Sequence, residues 1–193
     1  MKSLTIVTLS AFFIFPLWGQ NWKDLQQKAE EKGEYASYTT VTLLDSVMVS
    51  VTPLGSGSFD VYKVFRVQTP AGALANRVIK YDYDPLTAFA KFRFVVIHRA
   101  DGTIDSLDVN KANYYAAPAR SIYWGARQIM IEPGRLEPGD IVEYEISKKG
   151  FTYALLADMD ESRFVPPMRG HFYDIVPFWS SEPVVRKVYK VSI

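Results

Sequence analysis

Cysteine is absent from all 193 residues, which removes disulfides, thiolate zinc sites, a cysteine nucleophile and a lipid-modified N-terminal cysteine. Histidine is scarce. Its two residues, His98 and His171, are far apart in the chain, and two isolated imidazoles without cysteine read as structural histidines rather than a metal site or a general base. Neither sign of charge is in excess. Lys plus Arg number 22 against 21 for Asp plus Glu, and Lys2 is the only charged residue before residue 20, so a chain cut near there is neutral. Electrostatics therefore makes no case for nucleic acid as a partner. No repeat of fixed period occurs, which argues against a propeller or solenoid.

Long hydrophobic runs are missing too, apart from one near the start. Leu4 to Trp18 follows Lys2, contains Pro16 and is too short to span about 30 Å of hydrocarbon. Residues 1–19 thus read as a secretory signal peptide cut within a residue or two of Gly19, with no membrane span left afterwards and a periplasmic or extracellular destination.

What remains is rich in strand formers. Hydrophobic residues make up 48%, with 12 Tyr and 12 Phe, enough for one domain over residues 20–193. Asn21 can cap a short helix that carries Trp22, Leu25 and Ala29 on one side and ends at Gly33. Tyr35 to Pro53 is Val- and Thr-rich β sequence around a turn at Asp45-Ser46, and Phe59 to Thr69 returns as a strand before a turn at Pro70-Ala71-Gly72. Further strands are expected at Val78 to Tyr83, at Ala88 to Arg99 with Phe92, Phe94 and Val96 on one face, and, beyond an Asp101-Gly102 turn, at Ile104 to Val109. Gln128 to Gly150 reads as a β-hairpin: Ile129 and Ile131 alternate on the way in, Val142, Tyr144 and Ile146 on the way out, with Pro133-Gly134 and Pro138-Gly139-Asp140 between. Phe172 to Val176 and Val184 to Ile193 complete the set. The last strand's apolar side, Val185, Tyr189, Val191 and Ile193, is expected to be buried, and its unfinished pattern suggests the N-terminal part of a longer multidomain protein. About nine short strands and one short N-terminal helix predict a mainly β fold, an antiparallel β-sandwich.

Chemistry is harder to find. Asp158, Asp160 and Glu161 sit in the Thr152 to Pro167 loop, but without the glycine and distal Glu of a calcium loop, or the defined spacing of a glycosidase pair, a solvated acidic loop is the plainer reading. No catalytic, cofactor-binding or metal-ligating residue is assigned. The aromatic set outside the regular strands, Tyr114, Tyr115, Tyr123, Trp124, Phe178 and Trp179, can stack on sugars or anchor a peptide or protein partner, or else plug the sandwich ends.

Three stretches carry a resemblance: Tyr81 to Ile104 with its Ala-Asp-Gly-Thr hairpin, Ala126 to Ser147 with its Leu-Glu-Pro-Gly-Asp turn, and His171 to Ile193 with its Glu-Pro-Val approach to the last strand. In order and spacing they resemble an uncharacterised domain family of exported bacterial proteins that stands N-terminal to transglutaminase-like domains. The resemblance implies a β-sandwich accessory domain. It also implies a downstream transglutaminase-like domain in the same polypeptide, where a thiolate would attack an amide carbonyl with His moving the proton. None of that machinery transfers to a position here. The sequence departs from the family in its longer Thr152 to Pro167 connection. A non-catalytic accessory role is the first expectation, and a free-standing glycan- or peptide-binding module the second.

Overall fold

The computed structural model describes residues 21–33, 35–116, 126–152 and 169–193. Outside them lie the expected signal peptide, Tyr123, Trp124, the acidic trio Asp158, Asp160 and Glu161, and most of the Thr152 to Pro167 loop. Among the described residues the strands are β1 (Thr40–Val51), β2 (Gly57–Val67), β3 (Ile79–Tyr83), β4 (Ala88–His98), β5 (Ile104–Ser106), β6 (Asn113–Ala116), β7 (Arg127–Ile131), β8 (Ile141–Gly150) and β9 (Val184–Ser192), with helices α1 (Asn21–Lys32) and α2 (Pro70–Ala75). They form a six-stranded sheet ordered β5-β4-β8-β2-β1-β9 and a three-stranded sheet ordered β3-β7-β6. The fold is mainly β and sandwich-like, as expected, with every pairing antiparallel except β1 with β9.

Two cores follow from the alternation of side chains. Phe65, Phe92, Val95, Ile97, Val142 and Ile146 of the large sheet meet Ile79, Tyr83, Ile129 and Ile131 of the small one. On the other face of the large sheet, Trp22 and Leu25 of α1 cover Val41, Leu43, Leu44, Tyr62 and Val64. The sequence places those helix residues correctly. Gly33 closes α1 at φ 61°, in the left-handed region where a side chain is strained.

The Gln128 to Gly150 hairpin does not exist. Both strands form, but β7 pairs with β3 and β6, while β8 pairs with β2 and β4. Residues 132–140 cross from one sheet to the other, a step of about 10 Å between packed sheets that two Pro-Gly corners can make and a tight hairpin cannot. Leu136 drops into the core on the way, 6% exposed. Asp140 fixes the far corner. Only 2% exposed, it accepts from Arg99 Nη1 at 2.9 Å, Ala100 N–H at 3.1 Å and Glu137 N–H at 2.9 Å. Its backbone also bonds β2: Val67 N–H donates to the Asp140 carbonyl at 2.9 Å, and Gly139 N–H to the Val67 carbonyl at 2.8 Å.

Other expectations change for local reasons. There is no turn at Asp45-Ser46; β1 continues through both residues, with its pairing to β2 irregular only between Thr42 and Leu44. The Pro70-Ala71-Gly72 turn is the first turn of α2, because Thr69 Oγ1 accepts from Gly72 N–H at 3.1 Å and Pro70 begins the helix without a missing donor. In β4 a register shift between Phe92 and Phe94 turns the alternation over, so Phe92 shares the inter-sheet core with Val95 and Ile97 while Phe94 packs toward α1. Tyr114 and Tyr115 belong to a strand, β6. Residues 172–176 do not, and Ile104 to Val109 is strand only to Ser106. Of the β9 side expected to be buried, Val185 and Tyr189 are half-buried, while Val191 and, beyond the strand, Ile193 are exposed.

Asp140→Ala leaves the Arg99 guanidinium without its buried partner and should cost about 3 kcal/mol, the lower end for breaking a buried pair. Urea unfolding checks it. Glu137→Ala, whose side chain is 60% exposed, serves as the control and should stay within about 0.5 kcal/mol of the parent.

Candidate functional site

Between Gly170 and β9 the chain runs without regular pairing across the inner side of the large sheet at its β1/β9 end. This strap, residues 170–183, keeps a strand-like alternation: Phe172, Asp174 and Val176 are partly buried, and Tyr173, Ile175, Phe178 and Trp179 are exposed. Four contacts pin it. The His171 carbonyl lies against Gly55, where an added Cβ would come within 2.2 Å of its oxygen while φ is already 89°. The Phe172 ring packs on Phe59, centroids 6.1 Å apart. Asp174 accepts from Tyr189 Oη at 2.6 Å and Thr152 Oγ1 at 3.1 Å. Lys187 Nζ sits 5.7 Å from the Phe178 ring centre.

Beside the strap a cleft of about 370 Å³ opens between the large sheet, the α2–β3 junction and the strap's end. Lys63, Thr40, Thr42 and Tyr144 rise from the large sheet, Asn76, Ile79 and Lys80 come from the junction and β3, and Ser180, Ser181 and Glu182 close it. Burial lowers the proton affinity of the Lys63 ammonium, with Asp45 opposing that and Lys187 adding to it. Burial raises the Tyr144 phenol, and burial followed by the Asp174 charge pushes Tyr81 up to about 12.

A second polar cluster lies on the opposite face. His98 Nε2 is 2.7 Å from Glu143 Oε2, Tyr62 Oη donates to Glu143 Oε1 at 2.8 Å, and Trp22 covers the imidazole at 5.0 Å. The imidazole, carboxylate and phenol satisfy one another beneath α1, which is a bolt for the helix rather than a proton relay. His171 makes a 3.2 Å contact from Nδ1 to the Arg169 carbonyl at the strap's root. Among the described residues no group of three or more His, Cys, Asp and Glu could hold a metal ion, and no helix is long and apolar enough to cross a membrane.

The aromatic set does not form one platform among the described residues. Tyr114 pairs with Ile129 and Tyr115 with Gln128, so successive side chains of β6 point to opposite faces of the small sheet. Phe178 and Trp179 belong to the strap, which approaches that sheet from the β3 side, where Asp174 acts on Tyr81. Sequence reasoning missed Tyr173 and Ile175, which share the strap's outer side, and the cleft residues Lys63 and Glu182. Alternation from Phe172 to Val176 was the available signal for the first pair; it marks an extended segment whether or not a neighbour strand pairs with it.

The phenols carry a pH dependence of definite sign. Tyr81 and Tyr144 hold their protons more tightly when folded than at the ordinary value of 10.0, so their contribution is intact below pH 10 and is lost as pH rises through the folded value, about 12 for Tyr81. Stability measured by urea unfolding should therefore fall between pH 10 and 12, and Tyr81→Phe should lessen that fall. For the strap, Asp174→Ala removes three hydrogen bonds to a carboxylate, two of them from outside the strap, and should speed chymotryptic cleavage within 172–179 by roughly tenfold, an effect of the size such bonds carry. An unchanged rate would mean that Asp174 does not hold it.

No curated protein matches the chain. Among solved structures, a proposed protease from Parabacteroides distasonis aligns at TM-score 0.51 and 15% identity over 58% of this chain and 23% of its own, a likeness of fold alone. The CBM3a-L domain with flanking linkers from scaffoldin cipA of the Clostridium thermocellum cellulosome aligns at TM-score 0.35 and 11% identity, over 58% of this chain and 68% of its own. The present chain thus spans under a quarter of the protease. Residues 53–193, β2 through β9 with the strap, match a family described as a domain of unknown function with a solved structure, leaving α1 and the whole of β1 outside the match, and on that span the chain belongs to the DUF3857 family.

Proposed function

We propose that the chain is a non-catalytic accessory domain of an exported protein, holding a neighbouring transglutaminase-like domain or its peptide substrate against the strap. The observation that carries this reading is the strap's outer side. Ile175 and Phe178 are each 68% exposed and Trp179 81%, on a backbone that is pinned at Gly55, Phe59 and Tyr189. Large apolar side chains on a held segment lose little further freedom on binding, so the area they bury goes into affinity. Single exposed apolar residues need no explanation, but three of them with Tyr173 along one short segment form a patch. The zero cysteine count leaves thiolate chemistry to another part of such a protein.

The runner-up, a glycan- or peptide-binding module built on the whole aromatic set, loses support from the separation of Tyr114 and Tyr115 onto two faces of β6. A photoreactive amino acid at position 179 of the exported protein tests the leading reading. Cross-links should run to the downstream domain of the same polypeptide or to its peptide substrate. Ile175→Ser and Trp179→Ser should each weaken that association by roughly tenfold or more, as hot-spot residues do, while thermal unfolding of the domain stays put. Cross-links to solvent-borne protein at random would defeat the proposal.

A further inference from the structure

Two partly buried charges of opposite sign in the cleft beside the strap are left unanswered by the fold, while a third, that of Lys80, is exposed at the cleft margin. Lys63 projects into it from β2, and its ammonium forms no ion pair or hydrogen bond among the described residues: the acid it feels most, Asp45, is occupied by Lys187 Nζ at 3.0 Å. Glu182 lines the same cleft from the strap's end, and its Oε2 is buried without a hydrogen-bond partner among the described residues. A buried carboxylate oxygen lacking a donor is costly, and so is a half-buried ammonium lacking an acceptor. The two do not satisfy each other, because they are not within ion-pair distance. Around them stand Phe65, Ile79 and the Tyr144 ring, an apolar floor, with hydroxyls and the Asn76 amide at the margin.

We propose that this cleft binds a small zwitterion of amino-acid or dipeptide size, its carboxylate on the Lys63 ammonium and its amino group on the Glu182 carboxylate. The volume, about 370 Å³, is at the small end of ligand pockets, and one extended residue adds only about 3.5 Å of length. Each end of such a ligand supplies what one protein group lacks, and both ion pairs form in a site partly withdrawn from water, where they are stronger than at the surface. Sequence alone conceals the pair, since 119 positions separate Lys63 from Glu182. The proposal goes beyond the docking reading and does not depend on the exposed side of the strap.

Titration calorimetry on the protein with alanyl-alanine, acetate and ethylamine as probes tests it. The dipeptide should bind saturably and the two half-ligands at least roughly tenfold more weakly, because each answers only one charge. Lys63→Met and Glu182→Gln should each weaken the dipeptide by a similar factor, with Trp179→Ser leaving it unchanged. Amide shift mapping on the unsubstituted protein gives a readout that needs no variant: perturbations should centre on Thr40, Thr42, Asn76 and Ser181. No saturable binding, acetate binding as tightly as alanyl-alanine, indifference to both substitutions, or shifts confined to other surfaces would overturn the assignment.

Discussion

A single buried carboxylate decides how the two sheets are joined. The chain must leave the small sheet at Ile131 and enter the middle of the large one at Ile141, and the register of β8 against β2 and β4 follows from that landing. Asp140 receives charge-assisted and backbone hydrogen bonds from the β4–β5 hairpin and from its own turn, while its peptide unit bonds Val67 at the end of β2. Three segments far apart in sequence are thereby held at one corner. β8 can then lie between β2 and β4, and its inward residues Val142, Tyr144 and Ile146 become the centre of the inter-sheet core. Burying such a charge is worthwhile only where every lone pair finds a donor, and here the Pro-Gly-Asp corner supplies the geometry.

Much of this was legible in the residues, and the limits have physical causes. Alternation located β7, β8 and β4 well, because side chains of a half-buried strand must change face at every step. Alternation says nothing of partners. Two well-patterned strands separated by turn residues look alike whether they fold back on each other or part to different sheets, so the pattern of β7 and β8 cannot reveal that they part. Within β4 a one-residue irregularity reversed the inward set beyond Arg93, and no residue type announces a bulge of that kind. Pro70 carries turn chemistry that it shares with the first turn of a helix.

Function was less legible than fold. Phe178 and Trp179 could be singled out because large rings outside strands are unusual, but Tyr173 and Ile175 were hidden in what reads as an ordinary strand. Asp174, Tyr189, Gly55 and Phe59 hold the strap by contacts across 15 to more than 100 positions, which no local pattern encodes. The charged pair in the cleft is equally non-local. Lysine at an inward strand position is a local oddity: between Val61 and Phe65, Lys63 takes a place on the inner face that an apolar residue would ordinarily fill.

The parallel seam also gives the described sheet a mechanical grain. β1 and β9 run the same way from Thr42 beside Val184 to Ser50 beside Ser192, so the start of β1 and the finish of β9 lie at opposite ends of the seam. Tension between those two points pulls the strands past one another and loads their evenly spaced bonds together, in shear. A sideways tug on β9 alone would open the same bonds one after another from its free edge. The domain is therefore stiff along the strand direction and weak across it, which makes β9 a tether that transmits a lengthwise load and yields to a lateral one.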